Sequence, residues 1–136
     1  MTEGEYQVLE GLYYSKEHEW SKVEQSGKVR IGITDYAQKT LHEIVFVQIV
    51  NLGTKVKQME MIGTVESIKA VSDVFSPISG EVIEVNEDLN MTPELINQDP
   101  YEKGWIVLLD PDNLDHEISQ LLSANEYKEL LKDIEH

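Results

Sequence analysis

The chain of 136 residues contains no cysteine. That absence excludes structural disulfides, thiolate metal sites, iron–sulfur clusters and a cysteine nucleophile, so any redox chemistry must be carried by an attached group. Basic residues are scarce as well, with 11 Lys plus Arg against 26 Asp plus Glu and a formal charge of −15. Arg30 is the single arginine of the sequence. This charge repels phosphate backbones and anionic lipids, which argues against nucleic acid and membrane partners.

Long apolar runs are also missing. The run from Ile44 to Val50 is the longest that matters, and it falls far short of the roughly 20 residues that a spanning helix requires. Its length and β-branched residues predict a buried strand instead. The opening MTEGEYQVLEG is acidic, without the basic and apolar regions of a secretory signal or the Arg and Ser of a transit peptide. The cytoplasm is therefore the expected compartment.

Motifs of independent catalysts are absent from the sequence. The four histidines show no HxxxH pairing, and no GxGxxG, P-loop or GxSxG motif occurs. The segment from Asp110 to Asp115 begins like a calcium loop but lacks the glycine and the bidentate glutamate at the required positions. The sequence thus offers no metal set, nucleophile or phosphate loop, and an enzyme is not predicted.

From Leu12 to about Asp110 the chain reads as short strands separated by turn residues. Val29, Ile31 and Ile33 alternate with polar or small residues, and a second alternation sets Ile83 and Val85 against Glu84 and Asn86. The breaks predict at least six strands. The turn segments lie at 25–28, at 51–53 and at 76–80, where Gly80 is expected to supply a turn conformation.

Helical signals interrupt and follow this region. Residues 35–41 are predicted as a short helix capped by Thr34 or Asp35, and residues 92–96 as a single helical turn. Past Pro111 the apolar residues recur at helical spacing, and Ser123 with Glu126 forms a capping box. We therefore predict one domain over residues 1–136, with a β core at 12–110 and C-terminal helices at 111–136.

One lysine occupies an unusual position. Two β-prone stretches, 59–68 and 71–75, flank the pair Lys69-Ala70, which places the lysine amine at the exposed tip of a hairpin. The pair lacks Gly and Asn, which favours a type I turn. On these grounds alone an exposed turn lysine is ordinary, and a special role for it stays open.

The wider sequence resembles a known family. ESIKA, residues 66–70, is similar to the attachment site of lipoate carrier domains, and the chain resembles the glycine cleavage system H proteins along almost its whole length. The similar segments are HEW (18–20), IGITDYAQ (31–38), IVFVQI (44–49), VESIKAVSD (65–73), SPISGEVIEVN (76–86), PELIN (93–97) and DPYEKGW (99–105). Biotin carriers have methionine on both sides of their lysine, whereas Ile68 and Ala70 stand here.

The resemblance implies a mostly β, lipoyl-domain-like barrel-sandwich hybrid with short helices and a C-terminal helical segment. It also implies a non-catalytic carrier with lipoic acid joined by an amide to Lys69. The carrier receives the aminomethyl group of glycine from glycine dehydrogenase (decarboxylating), a pyridoxal-phosphate enzyme. The tetrahydrofolate-dependent aminomethyltransferase then takes the one-carbon unit, dihydrolipoamide dehydrogenase reoxidises the arm, and a lipoate ligase or lipoyl transferase attaches it.

The same resemblance implies roles for further residues. Glu19 is the expected contact of the cargo amine and Asp73 a second candidate, although a solvated strand position for Glu19 and a hairpin-capping role for Asp73 are alternatives. The residues expected to be recognised by the lipoylating enzyme are Glu66, Ser67 and Ala70, and a purely solvated Glu66 remains an alternative.

Three interpretations remain at this point. The first is a lipoyl carrier of glycine catabolism and one-carbon metabolism, monomeric by default. The second is an H-like lipoyl carrier acting in lipoate relay or sulfur metabolism. The third is an unmodified acidic interaction module in which Lys69 is an ordinary turn residue.

Overall fold

The computed structural model describes residues 6–135, in which nine strands and five helices are present. The strands are β1 (Tyr13–Tyr14), β2 (Glu19–Val23), β3 (Val29–Ile33), β4 (Ile44–Ile49), β5 (Lys55–Val56), β6 (Met61–Ser67), β7 (Val71–Phe75), β8 (Gly80–Val85) and β9 (Val107–Pro111). The helices are α1 (Asp35–Leu41), α2 (Asp88–Met91), α3 (Leu95–Gln98), α4 (Leu114–Ile118) and α5 (Ala124–Glu135).

The strands form two antiparallel sheets. The larger sheet has the order β1-β2-β3-β9-β8-β5, and the smaller one has the order β4-β6-β7. The main apolar cluster includes fully buried residues of both sheets, among them Ile31 of β3 and Ile62 of β6. The predicted mostly β architecture with short helices and a C-terminal helix is confirmed.

A second cluster lies under the C-terminal helix. Tyr127 of α5 stacks on Tyr14 of β1 with ring centroids 4.5 Å apart, and Trp20 and Tyr101 belong to the same buried group. The Trp20 indole donates to the Pro100 carbonyl at 3.0 Å, so its polar atom is satisfied inside the core. Helix α5 is held to the β core through this aromatic cluster.

The predicted helix starts are confirmed at two positions. The Thr34 hydroxyl accepts from the Ala37 amide at 3.2 Å and caps α1. At α5, Glu126 accepts from the Ser123 amide at 2.9 Å while the Ser123 hydroxyl accepts from the Glu126 amide at 3.2 Å. The helical turn predicted at 92–96 forms three residues later, as α3.

Within residues 6–135 the strand register shifts at three β-bulges, and those in β4 and β8 change the faces that simple alternation predicts. The register of β4 against β6 shifts between Ile44 and Phe46, so Val45 is an extra residue, and Val45 and Phe46 are 46% and 48% exposed. In β8 a shift between Val82 and Glu84 leaves Ile83 36% exposed. The strand predicted over 44–50 forms as β4, but its buried residues are Ile44 and Val47, so the prediction of a buried strand holds for only part of the run.

Gly80 serves close packing rather than a turn. Its φ lies outside the left-handed region, and a Cβ built on it would lie 2.3 Å from the Asp110 carbonyl oxygen of the neighbouring strand β9. The predicted conformational role is wrong, and the residue is glycine because no side chain fits between β8 and β9.

Candidate functional site

The hairpin between β6 and β7 places Lys69 at its tip. Glu66 pairs with Val71, and the Ser67 amide donates to the Ala70 carbonyl at 2.8 Å. The two residues between this bonded pair are Ile68 and Lys69, so the predicted centre Lys69-Ala70 is displaced by one residue. None of the turn residues has a positive φ, which agrees with the predicted type I class and excludes primed turns.

Ser67 supports the turn from inside. Its hydroxyl accepts from the Ala70 amide at 3.2 Å and lies 3.3 Å from the Ala70 carbonyl, and the residue is 5% exposed. Ala70 itself is exposed and Glu66 is half-buried. Of the three residues predicted to meet a lipoylating enzyme, two are accessible, and Ser67 acts on the backbone that carries them.

The Lys69 side chain is exposed and forms no ion pair within residues 6–135. A cavity of about 310 Å³ opens beside it, lined by Leu41, His42, Glu43, Ile68 and Lys69. An unengaged amine with open approach is what an enzyme that acylates lysine requires. The residues present therefore fit an amide-linked prosthetic group.

Glu19 is buried rather than solvated. Its side chain is 1% exposed, its Oε1 accepts from the Ser15 hydroxyl, and its Oε2 accepts from the Phe75 amide at 3.0 Å. Burial raises the pKa of this carboxyl to about 7, although both hydrogen bonds act in the opposite direction. The alternative of a solvated strand position is wrong, and the carboxyl changes charge near neutral pH.

Asp73 lies on β7 between the lysine and the Glu19 contact. It pairs with Thr64 and is exposed. The order along the strand is therefore Lys69 at the tip, Asp73 in the middle and Phe75, with Glu19 bound to its amide, at the far end. The five residues of β7 from Val71 to Phe75 are separated by four steps and span about 13 Å.

A hydrogen-bonded group of His18, Tyr127 and Thr34, next to Glu19 in the chain through His18, was not predicted. His18 has a left-handed backbone with φ 73°, its Nδ1 lies 2.8 Å from the Tyr127 hydroxyl, and that hydroxyl lies 2.8 Å from Thr34 Oγ1. Burial lowers the pKa of His18. The HEW string marked this position, but Tyr127 is too distant in sequence for any local pattern to pair the two.

Other classes of site find little support in residues 6–135. No group of three or more metal-ligating side chains occurs there. No helix in that range is long and apolar enough to cross a membrane. Arg30 is engaged by Glu24 at 3.3 Å and by the face of the Trp105 ring at 4.4 Å.

Two antiparallel sheets with an exposed lysine on a hairpin tip are the arrangement that the resemblance to lipoate carrier domains predicts. The family model for "Glycine cleavage H-protein" matches residues 12–134. A relative from Pyrococcus abyssi, a "Probable glycine cleavage system H protein", is 53% identical over 96% of this chain and 97% of its own length. A "Glycine cleavage system H protein" from Coprothermobacter proteolyticus is 50% identical over 91% of this chain and 97% of its own length.

A solved structure agrees with these relatives. The crystal structure of a glycine cleavage system H protein from Mycobacterium marinum superposes with a TM-score of 0.80 at 37% identity, over 88% of this chain and 95% of that one. The chain therefore belongs to the glycine cleavage H-protein family. It is a lipoyl carrier and a non-catalytic subunit of the glycine cleavage system, whose other enzymes are implied as its partners. The predicted barrel-sandwich fold is confirmed.

Proposed function

We propose that Lys69 carries the lipoyl group of this chain. The supporting observation is its exposed, unpaired side chain at the tip of the β6–β7 hairpin, within the part of the chain that the structure describes. Ser67 holds the tip through Ala70, so the lysine stem projects from a fixed backbone. The lipoyl group supplies a disulfide that can be reduced and reoxidised, which the cysteine-free chain lacks.

Attachment requires little from the carrier beyond a reachable amine. Lys69 Nζ gives up protons and attacks the activated carboxyl carbon of lipoic acid; the C–N bond forms as the bond to the activating group breaks. Because an ammonium becomes a neutral amide, the formal charge changes from −15 to −15 − 1 = −16. The catalytic groups belong to the attaching enzyme, a lipoate ligase or lipoyl transferase.

We further propose that Asp73 and Glu19 receive the amine of the aminomethyl cargo. Asp73 lies on β7, and Glu19 of β2 binds the amide of Phe75 at the far end of that strand, about 13 Å from Val71. A long acyl-lysine that starts at the hairpin tip can lie back along this strand. Glu19 is enclosed, so the cargo must enter beside Ser15, which lines a cavity of about 350 Å³. A cationic amine there pairs with a carboxylate in a water-poor setting, where the attraction is strong.

The proposed partners are glycine dehydrogenase (decarboxylating), aminomethyltransferase and dihydrolipoamide dehydrogenase, besides the attaching enzyme. The charge of −15 steers the carrier toward basic docking faces and suits transient complexes. We propose that the whole chain, residues 1–136, acts as one monomeric domain in the cytoplasm.

Intact-mass analysis tests the attachment site. The wild type is incubated with lipoate, ATP and a lipoate ligase, next to Lys69→Arg and the matched control Lys55→Arg, which changes an exposed lysine of the larger sheet. We expect one lipoyl addition on the wild type and the control and none on Lys69→Arg. If a folded wild type stays unmodified while the ligase modifies another carrier, the chain is an unmodified module.

A second experiment tests the cargo contact. In Glu19→Gln the amide can keep both hydrogen bonds, to Ser15 and Phe75, while the negative charge is lost. We expect normal lipoylation of this variant and a shorter lifetime of the aminomethyl-loaded carrier, followed by ammonia release. An unchanged lifetime removes Glu19 from the cargo site.

A further inference from the structure

The outer face of the smaller sheet carries exposed apolar side chains beside Lys69. Glu66 of β6 pairs with Phe46 of β4 on one side and with Val71 of β7 on the other, so the three residues lie side by side. This row lies next to the Ser67–Ala70 pair that closes the turn. Phe46 is 48% exposed and Val71 62% exposed. We call Val45, Phe46, Ile68 and Val71 the hairpin patch.

The hairpin patch differs from the other exposed apolar residues. Leu52, Met91 and Ile134 stand singly on separate segments, which is normal for a protein surface. The patch residues instead gather at one end of one sheet, with Ile68 74% exposed in the turn itself. Clustered exposed apolar side chains mark interaction sites.

The β4 bulge contributes to this arrangement. Because Val45 is an extra residue, Phe46 is paired with Glu66 and both Val45 and Phe46 face solvent. Such a bulge re-aims side chains at a cost in regular pairing. The acidic residues Glu43 and Asp73 border the patch, and Glu66 lies within it between Phe46 and Val71.

We propose that the hairpin patch, with Glu66 between its apolar side chains, is the docking surface for the enzyme that attaches the lipoyl group, through a face that carries both apolar and basic side chains. This inference rests on the proposed modification of Lys69. The attaching enzyme must bring its active site to Nζ, one lysine stem away from the hairpin backbone, so its surface meets the residues next to the tip. Enzymes that act on the far end of the lipoyl arm do not need that approach.

The negative charge of the chain favours the attaching enzyme, rather than a second copy of the chain, as the partner at the hairpin patch. Two copies meeting through the patch would oppose their acidic rims, on proteins that each carry −15, and like charges across an interface are unfavourable. An enzyme surface that carries basic side chains is complementary instead.

Lipoylation kinetics of the full chain with lipoate, ATP and a lipoate ligase test the proposal. The variants are Phe46→Thr and Val71→Thr, which keep strand-favouring side chains. The matched control is Met61→Thr, since Met61 is 49% exposed on the same sheet but at the opposite end of β6. We expect kcat/KM to fall about tenfold for each patch variant, as for residues at the centre of an interface, and to stay unchanged for the control.

A second readout separates docking from damage to the fold. Variants lipoylated to completion should be reduced and reoxidised by dihydrolipoamide dehydrogenase at the wild-type rate. Wild-type lipoylation kinetics in both patch variants would overturn the proposal. So would a wild-type dimer that Phe46→Thr converts to a monomer without a change in lipoylation. A wild type that accepts no lipoyl group at all would instead refute the modification of Lys69.

Discussion

The buried Glu19 carboxyl makes stability depend on pH in a defined direction. Its pKa is about 7 in the folded chain against 4.5 for an exposed glutamate, mainly because burial disfavours the charged form. Between these two values the folded chain keeps a proton that the unfolded chain has released. Stability from this group is therefore present at low pH and is lost as pH rises through 7.

The size of the effect follows from the two pKa values. Between pH 5 and pH 8 the linkage relation gives a loss of about 2.5 kcal/mol from Glu19. In Glu19→Gln the amide oxygen can accept from the Phe75 amide, and the amide nitrogen can donate to the Ser15 hydroxyl, which reverses the direction of that bond. We therefore expect the stability of the variant to rise relative to that of the wild type by about 2.5 kcal/mol between pH 5 and pH 8.

Urea unfolding of both proteins at a series of pH values measures this difference, and titration of the Glu19 carboxyl by NMR measures the pKa directly. Ser15→Ala is the companion variant: because the Ser15 hydroxyl lowers the pKa of Glu19, its removal should move the titration to higher pH. The same substitution made in Glu19→Gln should leave the pH dependence unchanged. A stability difference that is flat from pH 5 to pH 8 would refute the assignment of a raised pKa to burial.

Three further predictions concern the supports of the site. Tyr127→Phe keeps the ring stack but removes a buried hydroxyl shared by two partners, and should cost about 2 kcal/mol in the free energy of unfolding; a loss near zero contradicts the network. Ser123→Ala should cost about 1 kcal/mol, measured by thermal unfolding, since it removes half of the α5 capping box. Gly80→Ala should cost about 2 kcal/mol because its Cβ meets the Asp110 carbonyl, and an unaffected midpoint in urea would mean that β8 and β9 separate easily.

Local patterns predicted the elements better than their faces. Alternation and turn residues located the β2–β3 and β6–β7 hairpins, and side chains that cap their own helix located α1 and α5. The bulges at Val45 and Ile83 escaped prediction because one extra residue reverses a strand's faces without altering its composition. The observed turn centre, Ile68-Lys69, lies one residue before the predicted one. The Ser67 hydroxyl accepts from the Ala70 amide, and this side-chain contact is not visible in the strand pattern.

The residues of the candidate site also differ in how far the sequence could predict them. Lys69 could be placed from its flanking strands and from the resemblance, because a hairpin is a local structure. The burial of Glu19 could not, because a lone carboxylate is expected at the surface and its partner Phe75 belongs to a distant strand. The link from His18 to Tyr127 joins the two ends of the chain and has no local signal.

The order of strands in the larger sheet also determines when the carrier can fold. Its centre is the pair β3–β9, in which Val29 lies opposite Leu109, so the sheet cannot be completed until most of the chain has been synthesised. Loop closure over such a separation is slow, and topologies of this kind fold in milliseconds to seconds. The β6–β7 hairpin is local and can pair early, but the Phe75 amide finds Glu19 only once β2 has been assembled into that sheet. A nascent chain halted before β9 would thus present the lysine hairpin before the larger sheet is complete, so the amine becomes reachable earlier than the framework around Glu19.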